Sequence, residues 1–264
     1  MKFIQYYDSD DIAGIIACCV VAYSVRQKGE LEDCEYILYN QNYSKHKDNS
    51  IIKKVFDRVE PFPDAVNQII DNLPEHCRHI KDNQRELSCW RKFLCWLYTK
   101  GAVVSTDYDL LCLGSIKELI PPNGYIFAGR QANDGRFTKV LNGGVLAKNE
   151  DFDKSDAGEV LLEALLNKNA YKKSQKNWNW IDEAATWHYI HKRGVKGIHV
   201  VDARYNMKAL WHIKTGRSIE YNDIRLLHFG GANKPWLKCA PEFERINTLW
   251  LDAKNAMFES VFEI

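Results

Sequence analysis

The apolar run Lys2 to Tyr7 predicts a strand, and Ile12 to Gln27 follows it as a helix. Tyr36 to Tyr39 predicts a second strand and Ser50 to Asp57 a second helix. Arg58 to Phe62 then makes a short strand, stopped by Pro61 and Pro63. Strands and helices in alternation predict an α/β fold: a mostly parallel central sheet with helices on both faces.

The clearest helix is Ser88 to Tyr98, where Trp90, Phe93, Leu94 and Leu97 fall on one stripe at i, i+3, i+4 and i+7 and Gly101 supplies the stop. The run Ala102 to Thr106 is too short for a helix and predicts a buried strand with Asp107-Tyr108-Asp109 at its carboxyl end. Carboxyl ends of strands are where ligands bind in open α/β sheets. Further on, Asp156 and Glu159 fit a capping box for a helix over Val160 to Asn167. Asp182 to Lys192 predicts another helix and Gly197 to Val201 a strand. After Pro241 comes an amphipathic helix with Ile246, Leu249, Trp250, Ala253 and Met257 near one face.

Composition narrows the partners. The chain has 264 residues, 45% hydrophobic, and no low-complexity tract or linker divides it, so one domain with a sizeable core is expected. Lys plus Arg number 36 against 35 Asp plus Glu, a net charge of +1 that argues against a nucleic-acid partner held by bulk positive charge. The eight cysteines contain no C-x-x-C and sit mostly in apolar or helix-like runs, which predicts free thiols in a reducing compartment. His76-Cys77-Arg78-His79 lacks a second ligand pair at zinc-finger spacing. The apolar stretch Ile12 to Val25 is too short to span a bilayer, and acidic residues stand where a signal peptide carries basic ones. The expectation is a cytoplasmic protein with no transmembrane segment; the apolar side of the last helix leaves peripheral membrane or subunit contact open.

Two segments carry chemistry. Asp107-x-Asp109 places two carboxylates where they can share a hard divalent cation with a phosphate oxygen, although D-x-D also describes a solvated turn, as in Asp8-Ser9-Asp10. Haloacid-dehalogenase phosphatases also use a D-x-D, with Thr or Val where this chain has Leu111. The second segment is His228-Phe229-Gly230-Gly231-Ala232-Asn233-Lys234-Pro235-Trp236. A histidine can complete a metal site, paired glycines allow close backbone approach, and a lysine offers a point charge to a diphosphate.

The D-x-D behind an apolar strand, Asn142-Gly143-Gly144-Val145 and the H-F-x-G-x-x-K-P-W order together resemble glycosyltransferase family 8. Lys92-Phe93-Leu94-Cys95-Trp96 is similar to that family's K-L-x-x-W, and Asp182-Glu183 stands where it usually carries Asp-Gln. The resemblance runs from about Lys2 to about Leu251.

It implies a GT-A fold, a Rossmann-like sheet with nucleotide on about residues 1–110 and sugar and acceptor on about 111–264. It also implies retaining transfer of a hexose, glucose or galactose, from a UDP-sugar with Mn²⁺ or Mg²⁺ to a carbohydrate or glycoconjugate acceptor. By position, Asp107, Asp109 and His228 would hold the metal, and Lys234 with the Gly231 backbone the diphosphate. Asn142, Gly143, Lys92 and Asp182 would contact the donor, with Tyr108 between the metal ligands and the base near Tyr6 and Tyr7. Glu183 would act at the anomeric centre as nucleophile or charge stabiliser, as carboxylates do in retaining glycosidases, or simply favour the first turn of its helix. Trp178 and Trp180 would stack on an acceptor sugar or anchor a loop. His188 and His191 share a helix face as ligands or as surface residues. The same residues in a protein that binds a nucleotide sugar without turnover, or in a metal-dependent phosphohydrolase, are the competing readings.

Overall fold

The computed structural model describes residues 1–9, 11–31, 33–75, 82–133, 136–151, 159, 197–209, 223–231, 234–237 and 241–262. The predicted helices over Val160 to Asn167 and Asp182 to Lys192 lie outside these residues, as do Trp178, Trp180, His188, His191 and the His76–His79 cluster.

Strand β1 (Lys2–Tyr7) leads into α1 (Ile12–Lys28), β2 (Glu35–Asn40), the short α2 (Tyr43–His46), α3 (Ser50–Val55), β3 (Arg58–Glu60) and α4 (Asp64–Asp71). Next come α5 (Gln84–Tyr98), β4 (Val103–Thr106), β5 (Leu110–Cys112), β6 (Tyr125–Asn133) and β7 (Arg136–Lys148). β8 (Gly197–Val200), β9 (Met207–Lys208), β10 (Leu226–His228) and α6 (Glu244–Phe262) complete the order.

The main sheet runs β3-β2-β1-β4-β7-β6-β8. β1 pairs in parallel with β2 and β4, β2 with β3, and β6 with β8, while β7 runs antiparallel to both β4 and β6. Side chains of a strand alternate between faces, and the two cores follow that alternation. Phe3, Tyr7, Tyr36 and Leu38 pack with α1, α3 and α6 on one face. Ile4, Tyr6, Ile37 and Tyr39 pack with α4 and α5 on the other. The mostly parallel sheet with helices on both faces is thus present, with the antiparallel β6–β7 pair inserted into it.

α1 is apolar nearly all round because it is enclosed; Gly14 to Val25 is buried but for Ile16 and Tyr23, which are half-buried. Asp11 caps it by accepting from the Ala13 and Gly14 amides at 3.3 and 3.2 Å. Among the described residues no helix is long and apolar enough to cross a membrane, and Cys18, Cys19, Cys34, Cys89, Cys95 and Cys112 are free thiols.

Several boundaries move. α5 starts at Gln84 and not Ser88, and α3 ends at Val55 because Phe56 is already extended, φ −105° and ψ 139°. α4 and the β6–β7 pair are additional to the elements read from the pattern. So is a second small sheet, β5-β10-β9, in which β10 is antiparallel to β5 and parallel to β9.

α6 docks by Ile246, Trp250, Met257 and Val261, which are buried, while Leu251 is exposed. Trp250→Ala is therefore expected to cost about 3–5 kcal/mol. Leu251→Ala should stay within about 0.5 kcal/mol of the parent, both read from urea denaturation midpoints.

Candidate functional site

β4 ends at Thr106, and Asp107-Tyr108-Asp109 bridges it to β5. Two hydrogen bonds hold this bridge from both sides: Asp107 N donates to Gly144 O and Phe229 N to Asp109 O, at 2.9 and 2.8 Å. The second belongs to the β5–β10 pairing, which sets His228 opposite Leu110. A histidine distant in sequence is thereby placed beside the D-x-D.

The result is a group of ligand atoms from Asp107, Asp109 and His228 that all lie within 4.8 Å of one another. His228 Nε2 stands 3.3 Å from Asp109 Oδ1 and 3.8 Å from Asp107 Oδ2. Two carboxylates and an imidazole form a donor set that suits Mn²⁺ or Mg²⁺, hard cations that accept oxygen ligands and, for Mn²⁺, imidazole nitrogen. The donor chemistry fits such an ion.

Cations flank the carboxylates. Lys234 pairs with Asp109 Oδ2, and its ammonium lies 5.8 Å from the centre of the Tyr108 ring. Lys92, from α5, donates to Asp107 Oδ1 at 2.7 Å and to Gly143 O at 3.1 Å. Burial pushes the Asp109 carboxyl up, but His228 and then Lys234 beside it outweigh burial and hold it well below the usual carboxylate range. Tyr108 moves the other way: burial, then the negative charge of Asp109, pushes its hydroxyl well above the ordinary tyrosine value.

The Asn142-Gly143-Gly144-Val145 segment works through its backbone. β6 pairs Ala128 with Leu146 and then Gly129 with Asn142, so Gly143, Gly144 and Val145 drop out of the β6–β7 register. Such a bulge re-aims the groups it carries. Here it turns Gly144 O to the Asp107 amide and Gly143 O to Lys92, and it leaves the Asn142 side chain buried, its Oδ1 accepting from Gly144 N at 3.0 Å. A Cβ at Gly144 would come within 2.9 Å of His228 Cε1, so this residue is glycine because the imidazole packs on its backbone.

Tyr6 and Tyr7 separate. Tyr7 meets Tyr108 edge-on with ring centres 5.0 Å apart, and Tyr108 meets Trp236 at 6.0 Å. Tyr6 points to the opposite face of β1 and stacks on Phe62 at 5.1 Å. Gly231 is exposed, φ +87°, in the loop between His228 and Lys234. Asp182 and Glu183 lie outside the described residues.

One participant escaped the sequence. Asn206 is buried behind the site, with Oδ1 2.8 Å from His228 Nδ1 and Nδ2 2.8 Å from Asn142 Oδ1. No motif contains it, and a lone Asn after a short turn carries no signal of its own.

No protein-family model matches the sequence, and neither does any curated protein sequence. Solved structures do match. A galactosyltransferase, LgtC, in complex with donor and acceptor sugar analogues superposes with a TM-score of 0.61 at 13% identity, over 97% of this chain and 96% of that one. Mouse xyloside xylosyltransferase 1 gives 0.56 at 14% identity, over 90% and 100%. The bifunctional glycosyltransferase WbbM gives 0.60 at 11%, over 98% of this chain and 51% of its own. The chain shares the GT-A fold of these glycosyltransferases.

The depressed Asp109 carboxyl makes stability depend on pH with a definite sign. A group whose folded pKa lies below its unfolded value of about 3.9 contributes stability above that value, which is lost as pH falls below it. Denaturation midpoints followed from pH 5 downward should fall more steeply for the parent than for Asp109→Asn, which has no such group to titrate.

Proposed function

We propose that the chain is a metal-dependent glycosyltransferase of the family 8 kind, transferring a hexose from a UDP-sugar with retention to a carbohydrate or glycoconjugate acceptor. The observation that carries this reading is the Asp107, Asp109 and His228 group at the carboxyl end of β4, flanked by Lys92 and Lys234, in a fold shared with glycosyltransferases. LgtC, which that fold matches, was captured with donor and acceptor sugar analogues.

In this reading Asp107, Asp109 and His228 hold Mn²⁺ or Mg²⁺, and the ion supplies a Lewis acid for the departing diphosphate. As the glycosidic bond breaks, negative charge develops on the β-phosphate of UDP. Lys234, one flexible ammonium away from Asp109, moves its charge to that phosphate, and Lys92 steadies Asp107 from the α5 side. Tyr7 and Tyr108 form an aromatic wall for the nucleotide on one side of β1, and the Gly231 backbone approaches the diphosphate. Asn142, Gly143 and Asp182 contact the donor, Asn142 through its backbone because its side-chain oxygen is engaged within the protein.

Retention follows when the acceptor attacks from the face that UDP leaves, so that the leaving phosphate takes the acceptor proton and no dedicated base is needed. Glu183 is the alternative, a carboxylate nucleophile at the anomeric carbon. The buried free thiols of α1 support a cytoplasmic, reducing setting.

Incubation of the protein with Mn²⁺ and a panel of UDP-hexoses should release UDP, slowly without acceptor and faster with one. Chelator or Asp109→Asn should abolish release, and Lys234→Ala should lower kcat by about 10²–10³. Phosphate release from simple phosphomonoesters would sink the transferase reading. Tight UDP binding without turnover across the donor and acceptor panels would replace it with a binding protein.

A further inference from the structure

The hydrogen bonds behind His228 have a direction, and the backbone dictates it. Gly144 N–H is a donor by its nature and meets Asn142 Oδ1 at 3.0 Å, so the Asn142 amide must present its oxygen there and not its nitrogen. Asn206 then reaches the same oxygen at 2.8 Å, and only its Nδ2 can do so, because two oxygens at that distance repel. This orientation turns Asn206 Oδ1 to His228 Nδ1, again at 2.8 Å. An oxygen acceptor at that distance requires a hydrogen on Nδ1. With Nδ1 so engaged, Nε2, which faces Asp107 and Asp109 at 3.8 and 3.3 Å, is the nitrogen that a cation held between the carboxylates would meet.

Burial makes the relay binding on its members. Asn206 is 2% exposed, Asn142 6% and His228 5%, so bulk water does not substitute for a partner that turns the wrong way. Room for the relay comes from two glycines. A Cβ at Gly129 would lie 2.7 Å from Asn206 Nδ2, and one at Gly144 would lie 2.8 Å from Asn142 Oδ1. Asn206 itself follows a tight turn in which Asp202 accepts from the Arg204 amide at 3.0 Å and Asn206 N donates to Ala203 O at 3.1 Å. The next residues, β9, pair with β10 and set Lys208 opposite His228. Each end of the relay is thus tied to a strand that forms part of the site.

We infer that Asn206 is a positioning residue: oriented through Asn142 by the Gly144 amide, it keeps the hydrogen of His228 on Nδ1 and aims Nε2 at the two carboxylates. The inference rests on the proposed function for its purpose, since an aimed Nε2 serves a metal ion, but its geometry stands apart from any turnover. An outer partner of this type is worth about 10–100-fold in metal affinity where it has been removed from other sites.

The test uses the full chain with ¹⁵N-labelled histidine, free and with Mg²⁺, the His228 signals assigned by their loss in His228→Gln. The parent should show a hydrogen-bonded Nδ1–H in both states. Asn206→Leu should lose that signal while the backbone amide spectrum remains that of a folded protein. Its dissociation constant for Mn²⁺, read from the paramagnetic resonance of the free ion, should rise about 10–100-fold. Asn206→Asp combined with Asn142→Leu, which removes the oxygen that the new carboxylate would repel, keeps an oxygen against Nδ1 and should keep the Nδ1–H signal, which also serves if the single Leu variant does not fold. A parent without hydrogen on Nδ1, a paired Asn206→Asp, Asn142→Leu variant that loses it, or an Asn206→Leu that binds Mn²⁺ as tightly as a parent that does bind the ion would overturn the inference. A parent that shows Nδ1–H yet binds no Mn²⁺ supports the relay and counts against the proposed function instead.

Discussion

The carboxylate of Asp109 is buried at the junction of β4 and β5, and it is charged there because two groups from a remote part of the chain neutralise it. Desolvation alone would protonate such a group. His228 from the end of β10 and Lys234 from the loop behind it reverse that, so the β5–β10 pairing is also what lets the site carry charge. Removing that pairing would leave Asp109 without counter-charge and His228 without a place in the site. The small three-stranded sheet is therefore as much a part of the candidate metal site as the D-x-D itself.

β7 does for Asp107 what β10 does for Asp109. Its bulge presents backbone oxygens to the Asp107 amide and to Lys92, while the Asn142 side chain starts the relay that ends on His228. The two carboxylates, the imidazole and both lysines are thus tied by hydrogen bonds and ion pairs to β7, to β10, to Asn206 and to one another. Rigid support of this kind is what a site needs if its electrostatics are to be arranged before a charged substrate arrives. The aromatic series Tyr7, Tyr108, Trp236 and Trp250 then ties the same bridge to α6 and to the core beneath it.

The first half of the chain was legible because its signals are local. β1 and α1 carry dense apolar runs that no other element has to explain, and Trp90, Phe93, Leu94 and Leu97 declare the stripe of α5. The β6–β7 pair was not legible: Gly129, Gly143 and Gly144 interrupt the alternation, and the bulge breaks the two-residue period that announces a strand. The strands β5, β9 and β10 are two or three residues long and exist only as partners of one another. Tyr6 and Tyr7 are neighbours in the sequence but not in the site, because consecutive residues on a strand must face opposite ways.

What the sequence determined by itself was the residue inventory of the site and the placement of Asp107 and Asp109 after a buried strand, because spacing within a few residues constrains geometry directly. What the tertiary structure alone decided was which distant residues join them, and in what orientation. His228 was a candidate by its motif, but its distance to Asp109 is set by strand pairing. Asn206 was no candidate at all, because the direction of a buried hydrogen bond depends on what stands at its other end. The backbone amide of Gly144 determines that direction, and it can do so only after β7 has folded against β4 and β6.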